Sequence, residues 1–400
     1  MSRKTVILGV TGGIAAYKMA NLAHMLCKNN YEVHVIMTEN ATKFIAPLTF
    51  ETLTCQPCVV DCFTRSSSFE VEHISLAKKA DLMLISPATA NVIAKLANGI
   101  ADDALTTQAL ACTCTKIIAP AMNTAMLKNP ATQRNINTLE SDGYIVIQPA
   151  EGLLACGDVG AGKLPEEKSI FSYIERELEH EKDYKGKRIL VTAGATQEAM
   201  DPVRYITNHS SGKMGYAIAY ECMLRGADVT LISAPTNLPP VPFVKTVGVK
   251  SAHQMFEAVC DLKDEQDIII KAAAVADYRP EYMSENKIKK TSDKLSLQLE
   301  RTTDILGYLG ANRRENQFLC GFSMETENLI ENSCKKLEKK NLDMIVANSL
   351  NTEGAGFGTE TNIVTIITKD ESISLPLLSK AEVARVLMDK ISAQINSQRI

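Results

Sequence analysis

Lys4-Thr5-Val6-Ile7-Leu8-Gly9-Val10-Thr11-Gly12-Gly13 opens the stretch, residues 4–38, whose reading decides the fold. An apolar run, Lys4–Val10, ends in the turn Gly9-x-x-Gly12-Gly13. A helical stretch from Gly13 to about Asn29 follows, and then a second apolar run, Glu32–Thr38. Strand, glycine turn, helix and strand make a β-α-β unit with parallel strands. The turn taken alone is also what a plain strand-to-helix corner would use. Further runs at Ala80–Ser86, Lys116–Ala119 and Ile145–Gln148 lie between helical stretches. That alternation predicts an α/β fold, a parallel sheet covered on both faces.

The segment Phe171–Lys187 is charged and sparsely apolar, which predicts a helix running into a linker. The pattern then restarts with Arg188–Ala195, Asp228–Ser233, Asp267–Ala273, Gln317–Gly321 and Leu342–Ala347. Two domains are expected, 1–187 and 188–400. Asn362–Thr368 and Ser372–Leu375 read as a hairpin, with a last helix from about Ser379 to Gln394. Between the strand at 188 and a helix at Met214–Arg225 lies Arg204-Tyr205-Ile206-Thr207-Asn208-His209-Ser210-Ser211-Gly212-Lys213-Met214-Gly215. Such a loop leaves backbone N–H groups to meet phosphate oxygens, with a helix N-terminus behind them. Its order is not that of Walker A. Pro280–Leu299 carries Lys287, Lys289, Lys290 and Lys294 among Pro, Ser and Asn, and reads as a flap.

Composition excludes several classes. A formal charge of −4, no Trp and 5% aromatic residues argue against a nucleic-acid partner. No apolar run approaches the length of a membrane span, and with a strand read from Lys4 no export signal is expected. Eleven scattered cysteines then imply reduced thiols in the cytoplasm. Cys55-x-x-Cys58-x-x-x-Cys62 invites a zinc reading, but no second Cys/His pair stands at ribbon or finger spacing. Cys112-x-Cys114 falls in a small-residue helical stretch and reads as buried filler.

Several segments at later strand ends could converge on one crevice, because ligands of open α/β sheets sit outside the carboxyl ends of strands. They are Ser86-Pro87-Ala88-Thr89-Ala90-Asn91, Pro120-Ala121-Met122-Asn123-Thr124-Ala125-Met126 and Ala155-Cys156-Gly157-Asp158. With the Gly12-Gly13-Ile14-Ala15-Ala16-Tyr17-Lys18 turn and His73, these resemble the flavin-dependent cysteine decarboxylases, in particular those acting on phosphopantothenoylcysteine. Leu127 stands where that family often carries an aromatic residue. The resemblance implies a flavodoxin-like domain binding FMN through Gly12, Gly13, Thr38, Thr89 and Asn91. It assigns Cys156 as proton donor in the final reduction, His73 as base or substrate-orienting group, and Asn123 as anchor of the substrate carboxylate or amide. Spacing alone also allows a small buried cysteine, a structural histidine and turn-capping asparagines.

Residues 188–400 resemble the CTP-dependent phosphopantothenate–cysteine ligases, a second, Rossmann-like nucleotide-binding domain. The matching motifs include Asp201-Pro202-Val203-Arg204, the Asn208–Gly215 loop, Ala272-Ala273-Ala274-Val275-Ala276-Asp277-Tyr278 and Lys287-Ile288-Lys289-Lys290. Asp304-Ile305-Leu306 and Gly321-Phe322-Ser323-Met324-Glu325-Thr326 follow in order, with Lys336 to Asn341 after them. The resemblance implies that Lys287 meets the triphosphate and Asn208 holds the acyl intermediate. It implies contacts to substrate or CTP from Arg204, Ala273, Asp277, Thr303, Asp304, Ile305, Leu306, Phe322, Lys336 and Lys340. Thr303 stands where that family often carries Pro. By spacing alone Lys287, Lys336 and Lys340 are solvated cations and Asp304 is a helix cap.

Decarboxylase followed by ligase resembles the bifunctional coenzyme A biosynthesis family of bacteria along essentially the whole chain. The substrates implied are 4′-phosphopantothenate, cysteine and CTP, with FMN and Mg²⁺ as cofactors and metal ligands unassigned. A homo-oligomer is implied too: three-fold contacts in the flavin half and two-fold contacts in the ligase half would close into a dodecamer. Two other readings remain at this point. One is a flavodoxin-like flavin-binding regulator without catalysis. The other is a dinucleotide oxidoreductase, for which neither glycine turn has G-x-G-x-x-G spacing.

Overall fold

The computed structural model describes residues 3–62, 72–155, 157–289, 295–325, 328–349 and 359–397, the side chains of Glu72, His73, Glu325 and Ser349 excepted. The chain divides into two compact units, 1–179 and 180–400.

The first unit contains β1 (Thr5–Val10), β2 (Glu32–Met37), β3 (Cys58–Val59), β4 (Leu82–Ala88), β5 (Thr115–Pro120) and β6 (Ile145–Val146). These form one parallel sheet in the order β3-β2-β1-β4-β5-β6. Without the two-residue edge strand β3, the order in chain sequence is 2-1-3-4-5, the flavodoxin-like arrangement. All six residues of β1 are buried, because the sheet is covered on both faces. Val6, Leu8 and Val10 pack on the side of helices Lys18–Lys28 and Glu167–Leu178, and Ile7 packs opposite with Val92, Leu105 and Ile118.

A hairpin absent from the sequence reading, β7 (Ala150–Leu153) with β8 (Val159–Lys163), follows β6. Its glycines conceal the strand pattern. Gly162, at φ +131°, is required: a Cβ there would lie 2.2 Å from the Met122 carbonyl oxygen. The stretch holding Cys112 and Cys114 is not helical to its end, because the helix Ala104–Ala111 stops before both cysteines.

The second unit restarts with β9 (Arg188–Ala193), the ribbon β10 (Gln197–Ala199) and β11 (Tyr205–Thr207), β12 (Asp228–Ser233), β13 (Lys245–Gly248) and β14 (Ile268–Lys271). It continues with the ribbon β15 (Tyr278–Pro280) and β16 (Leu299–Arg301), then β17 (Phe318–Glu325) and β18 (Met344–Ser349). The last strands are β19 (Thr361–Asn362), β20 (Val364–Ile367), β21 (Ser372–Ser374) and β22 (Leu378–Ser379). The main sheet runs β13-β12-β9-β14-β17-β18-β20-β21. Its six parallel strands take the 3-2-1-4-5-6 order of dinucleotide-binding folds, and the expected hairpin, β20 with β21, closes the antiparallel edge.

Residues 180–187 pack on this second unit. The buried Tyr184 donates its hydroxyl to the Met388 carbonyl at 2.6 Å. The Arg225 guanidinium lies 5.0 Å from the Tyr184 ring centre and pairs with Asp183 and Asp389.

Candidate functional sites

Strand order reverses between β1 and β4 in the first unit, which opens a crevice above their carboxyl ends. Thr11, fully buried, ties the two ends together. Its hydroxyl donates to the Pro87 carbonyl at 2.6 Å and accepts from the Thr89 N–H at 3.2 Å. Gly12 has no space for a side chain: a Cβ would meet the Asn40 Cβ at 2.5 Å. Gly13 is extended, its nearest neighbour would be 3.8 Å from a Cβ, and it lines the cavity. Thr38 closes the turn after β2, its hydroxyl accepting from the Ala41 N–H at 3.3 Å. Thr89 caps the helix Ala90–Ala97, and Asn91 is exposed in that helix's first turn.

A cavity of about 370 Å³ lies between residues 13–18, Pro87, residues 121–123 and the β7–β8 hairpin. Small-molecule sites occupy about 300–1,000 Å³ and are mostly apolar. Tyr17, Met122 and Leu153 in this wall suit a flat aromatic ring. Asn123 sits at its edge. The Asn123 carboxamide oxygen accepts from Ala125 N–H at 2.8 Å, and its Nδ2 donates to Asp158 at 3.1 Å. The hairpin is held against the same segment by Met122 N–H to Gly162 O at 3.0 Å and Thr124 Oγ1 to Ala161 O at 2.7 Å. Asp158 was missed in sequence as a partner of Asn123. Cys156 lies outside the described residues, between Ala155 and Gly157 of this hairpin turn. His73 falls in the helix Glu72–Lys79, with its side chain outside the description.

The second unit repeats the arrangement between β9 and β14. Gly212, at φ +81°, begins the helix Lys213–Leu224. Gly215 lets that helix touch β9: a Cβ there would meet Ala193 Cβ at 2.6 Å and the Thr192 carbonyl oxygen at 2.8 Å. Residues 210–215 thereby form one wall of a cavity of about 140 Å³, with Ala273, Phe322, Asn348 and Lys380 on the others. The Asn348 carboxamide oxygen is buried and finds no partner among the described residues. Asn208 is exposed and donates to the Ala274 carbonyl at 3.3 Å.

A second cluster lies at the ends of β14 and the helices beside it. Asp304 caps the helix Ile305–Ala311 by accepting from Gly307 N–H at 3.0 Å, and it pairs with Lys340 at 2.9 Å. Burial pushes its carboxyl up, but the Gly307 N–H and the Lys340 ammonium together hold it below the ordinary range. Ile305 and Leu306 are buried in the core, so their side chains face away from solvent. Thr303 and Asp277 are exposed, with the Asp277 carbonyl accepting from Thr302 N–H at 3.0 Å. Lys336 is exposed on the helix Leu329–Lys339, and Lys340 caps its end. Lys271, missed in sequence, ends β14 beside Lys340, Asp304 and Asp277.

Arg204 is not brought to either group. It lines a wider groove of about 770 Å³ with Tyr205 and Arg279. Its guanidinium pairs with Asp201 at 2.6 Å and donates to the Ile288 carbonyl at 2.8 Å. Asp201 also accepts from the N–H groups of Val203, Arg204 and Ile288. The Arg204 guanidinium, above all, holds the Asp201 carboxyl well below the usual carboxylate range. This knot fastens one end of the flap next to the exposed Lys287, and the β15–β16 ribbon fastens its base. Flap residues 290–294, with Lys290 and Lys294, lie outside the described residues.

Among the described residues no three His, Cys, Asp or Glu side chains come together as metal ligands, Cys55, Cys58 and Cys62 included. Among the same residues no helix is long and apolar enough to cross a membrane.

Two family models match the chain. Residues 1–179 match the model described as Flavoprotein, and residues 184–395 match the DNA/pantothenate metabolism flavoprotein C-terminal domain. The chain is 47% identical to the coenzyme A biosynthesis bifunctional protein CoaBC of Bacillus subtilis, with 98% of each chain covered. The proteins of the same name are 43% identical in Vibrio cholerae, with 99% of each covered, and 42% in Borreliella burgdorferi, with 96% of this chain and 98% of the other covered. Two sheet-end crevices, two family models in this order and full-length relatives agree: the chain belongs to the family of bifunctional coenzyme A biosynthesis proteins, a decarboxylase half followed by a ligase half.

Proposed function

We propose that the second unit joins cysteine to 4′-phosphopantothenate with CTP, and that the first decarboxylates the product on FMN to give 4′-phosphopantetheine. The observation that carries this reading is a separate switch-point crevice in each unit, each walled by the motifs of its own reaction.

Carboxylate oxygen is a poor leaving group, so the acid is first joined to the cytidylyl group of CTP and pyrophosphate leaves. The cysteine amine then attacks the acyl cytidylate and releases CMP. The work of the protein is positioning and neutralising phosphate charge. Residues 210–215 line the cavity at a helix N-terminus, an arrangement that suits phosphate oxygens. Ala273 and Phe322 frame the nucleotide in that cavity, and Asp277, Thr303 and Asp304 take its ribose side together with the backbone at Ile305 and Leu306. Lys336 and Lys340 meet phosphates. Lys287 reaches the departing pyrophosphate from a flap whose end is fastened by Asp201 and Arg204. Asn208 holds the acyl carbonyl. When bound, Mg²⁺ would be held through the nucleotide phosphates with one or two protein carboxylates at most, and would supply neutralisation of phosphate charge.

In the first unit Gly12, Gly13, Thr38, Thr89 and Asn91 hold FMN in this reading, which the apolar cavity lined by Gly13, Tyr17 and Met122 supports. FMN supplies removal and return of a hydride at the cysteine Cβ, which turns the carbon beside the sulfur into an electron sink for CO₂ loss. Asn123, steadied by Asp158, orients the substrate carboxylate, and Cys156 gives the last proton. His73 orients the substrate or takes a proton. The trimeric and dimeric contacts of a dodecamer and a cytoplasmic location belong to the same reading.

The test is incubation with CTP, Mg²⁺, cysteine and 4′-phosphopantothenate, followed by mass spectrometry. Wild type should yield 4′-phosphopantetheine, CMP and pyrophosphate. Cys156→Ser should stop after CO₂ loss, because a serine hydroxyl is a poor proton donor at neutral pH. A flavin spectrum with no CO₂ release would favour the regulator reading instead.

A further inference from the structure

β14 ends on a cation, Lys271, after Ile268-Ile269-Ile270. Ile268 and Ile270 pack on the face of Val191 and Cys320, and Ile269 packs on the opposite face with Leu190, Leu306 and Leu319. Strand alternation puts Lys271 on the Ile269 face, above the helix Ile305–Ala311. Its register partner on β17 is Gly321, where a Cβ would meet Leu306 Cδ2 at 2.6 Å. The strand end is therefore crowded by core at Gly321, and Lys271 itself is half-buried at the carboxyl end of β14, next to Ala272 of the cavity wall.

The charged groups facing Lys271 are Lys340, Asp304 and Asp277. Asp304 is taken by Lys340 and by its own helix cap. Among the described residues, no oxygen forms a hydrogen bond or ion pair with the Lys271 ammonium. A half-buried ammonium beside a second ammonium, with no oxygen paired to it, is suited to an anion. We propose that Lys271 is a further nucleotide-binding residue of the ligase half, its ammonium meeting a phosphate oxygen of the nucleoside triphosphate beside Lys340. This inference rests on the ligase reading of that half. Burial, with the like charge of Lys340 behind it, pushes Lys271 down to about 8. A bound phosphate raises it again, so affinity is full below that pH and falls above it.

The experiment compares wild type, Lys271→Met and Lys271→Arg in the full-length protein. CTP with Mg²⁺ is titrated by calorimetry from pH 7 to 9.5, and CTP-dependent pyrophosphate release is followed in parallel. Lys271→Met should weaken CTP binding roughly tenfold at pH 7, the scale of a charge-assisted contact, and leave KM for cysteine unchanged. Wild-type affinity should fall above pH 8, and Lys271→Arg should restore affinity and hold it to higher pH, which a packing defect would not do. Equal CTP affinity and equal pH profiles in wild type and Lys271→Met would overturn the inference. A wild type that binds CTP but releases no pyrophosphate would overturn the ligase reading, while weakened binding by Lys271→Met would still support Lys271. A wild type that binds no CTP would overturn both.

Discussion

Thr11→Val isolates the joint between the ends of β1 and β4. Threonine and valine have nearly the same shape, so the change leaves no cavity. It removes one hydroxyl that both donates to Pro87 O and accepts from Thr89 N–H. Thr11 is fully buried, so water does not readily replace either bond. Each buried group left unpaired costs about 1–3 kcal/mol, so the two together should cost about 2–6 kcal/mol. Pro87 is part of the cavity wall and Thr89 caps the helix beside it, so the relaxation falls on the proposed flavin site. A tenfold change in affinity is about 1.4 kcal/mol, so with about half of that cost falling on the site FMN should be released about ten- to a hundredfold more readily. The assay is recovery of FMN fluorescence on dilution, with thermal unfolding followed in parallel. Thr11→Ser keeps the hydroxyl and should behave nearly as wild type. Unchanged FMN retention and melting in Thr11→Val would refute the reasoning, as would an equal loss in Thr11→Ser.

Gly215→Ala gains about 1 kcal/mol of helix propensity but drives a methyl into Ala193 and the Thr192 carbonyl. Overpacking costs up to about 3 kcal/mol and should win, lowering the melting temperature and weakening CTP binding; a raised melting temperature counts against the steric argument. Asp201→Asn should speed proteolytic cleavage within 284–299 at neutral pH, because an amide cannot satisfy the five donors now aimed at the carboxylate. Since that carboxyl is held low, its contribution is complete above about pH 4, the unfolded value, and fades only in strong acid, where variant and wild type should converge. Burial raises Glu221 from 4.5 to about 7, so its stabilising protonated form is complete below about 4.5 and is lost as pH rises through 7. Glu221→Gln should therefore match wild type near pH 4.5 and melt higher at pH 8; the reverse order at pH 8 would sink this.

Residues read in order were enough to determine the alternation of strand and helix, its restart at Arg188 and both loops that begin at switch points. The cause is local. A parallel strand buried on both faces must be a continuous apolar run, and a helix packed against a strand needs glycine at the closest point. Asp304 was legible as a cap for the same reason, its partner lying three residues away. Only the tertiary structure decided which glycines are obligatory, since Gly12 touches Asn40 and Gly13 touches nothing closely. It also decided the partners of the site residues. Asn123 meets Asp158 across 35 positions, Ile288 meets Asp201 across 87, and Thr11 meets Pro87 across 76. A hydrogen bond between distant segments leaves no periodic trace along the chain. The same holds for Lys271, whose chemistry comes from charges that the fold assembles around a strand end.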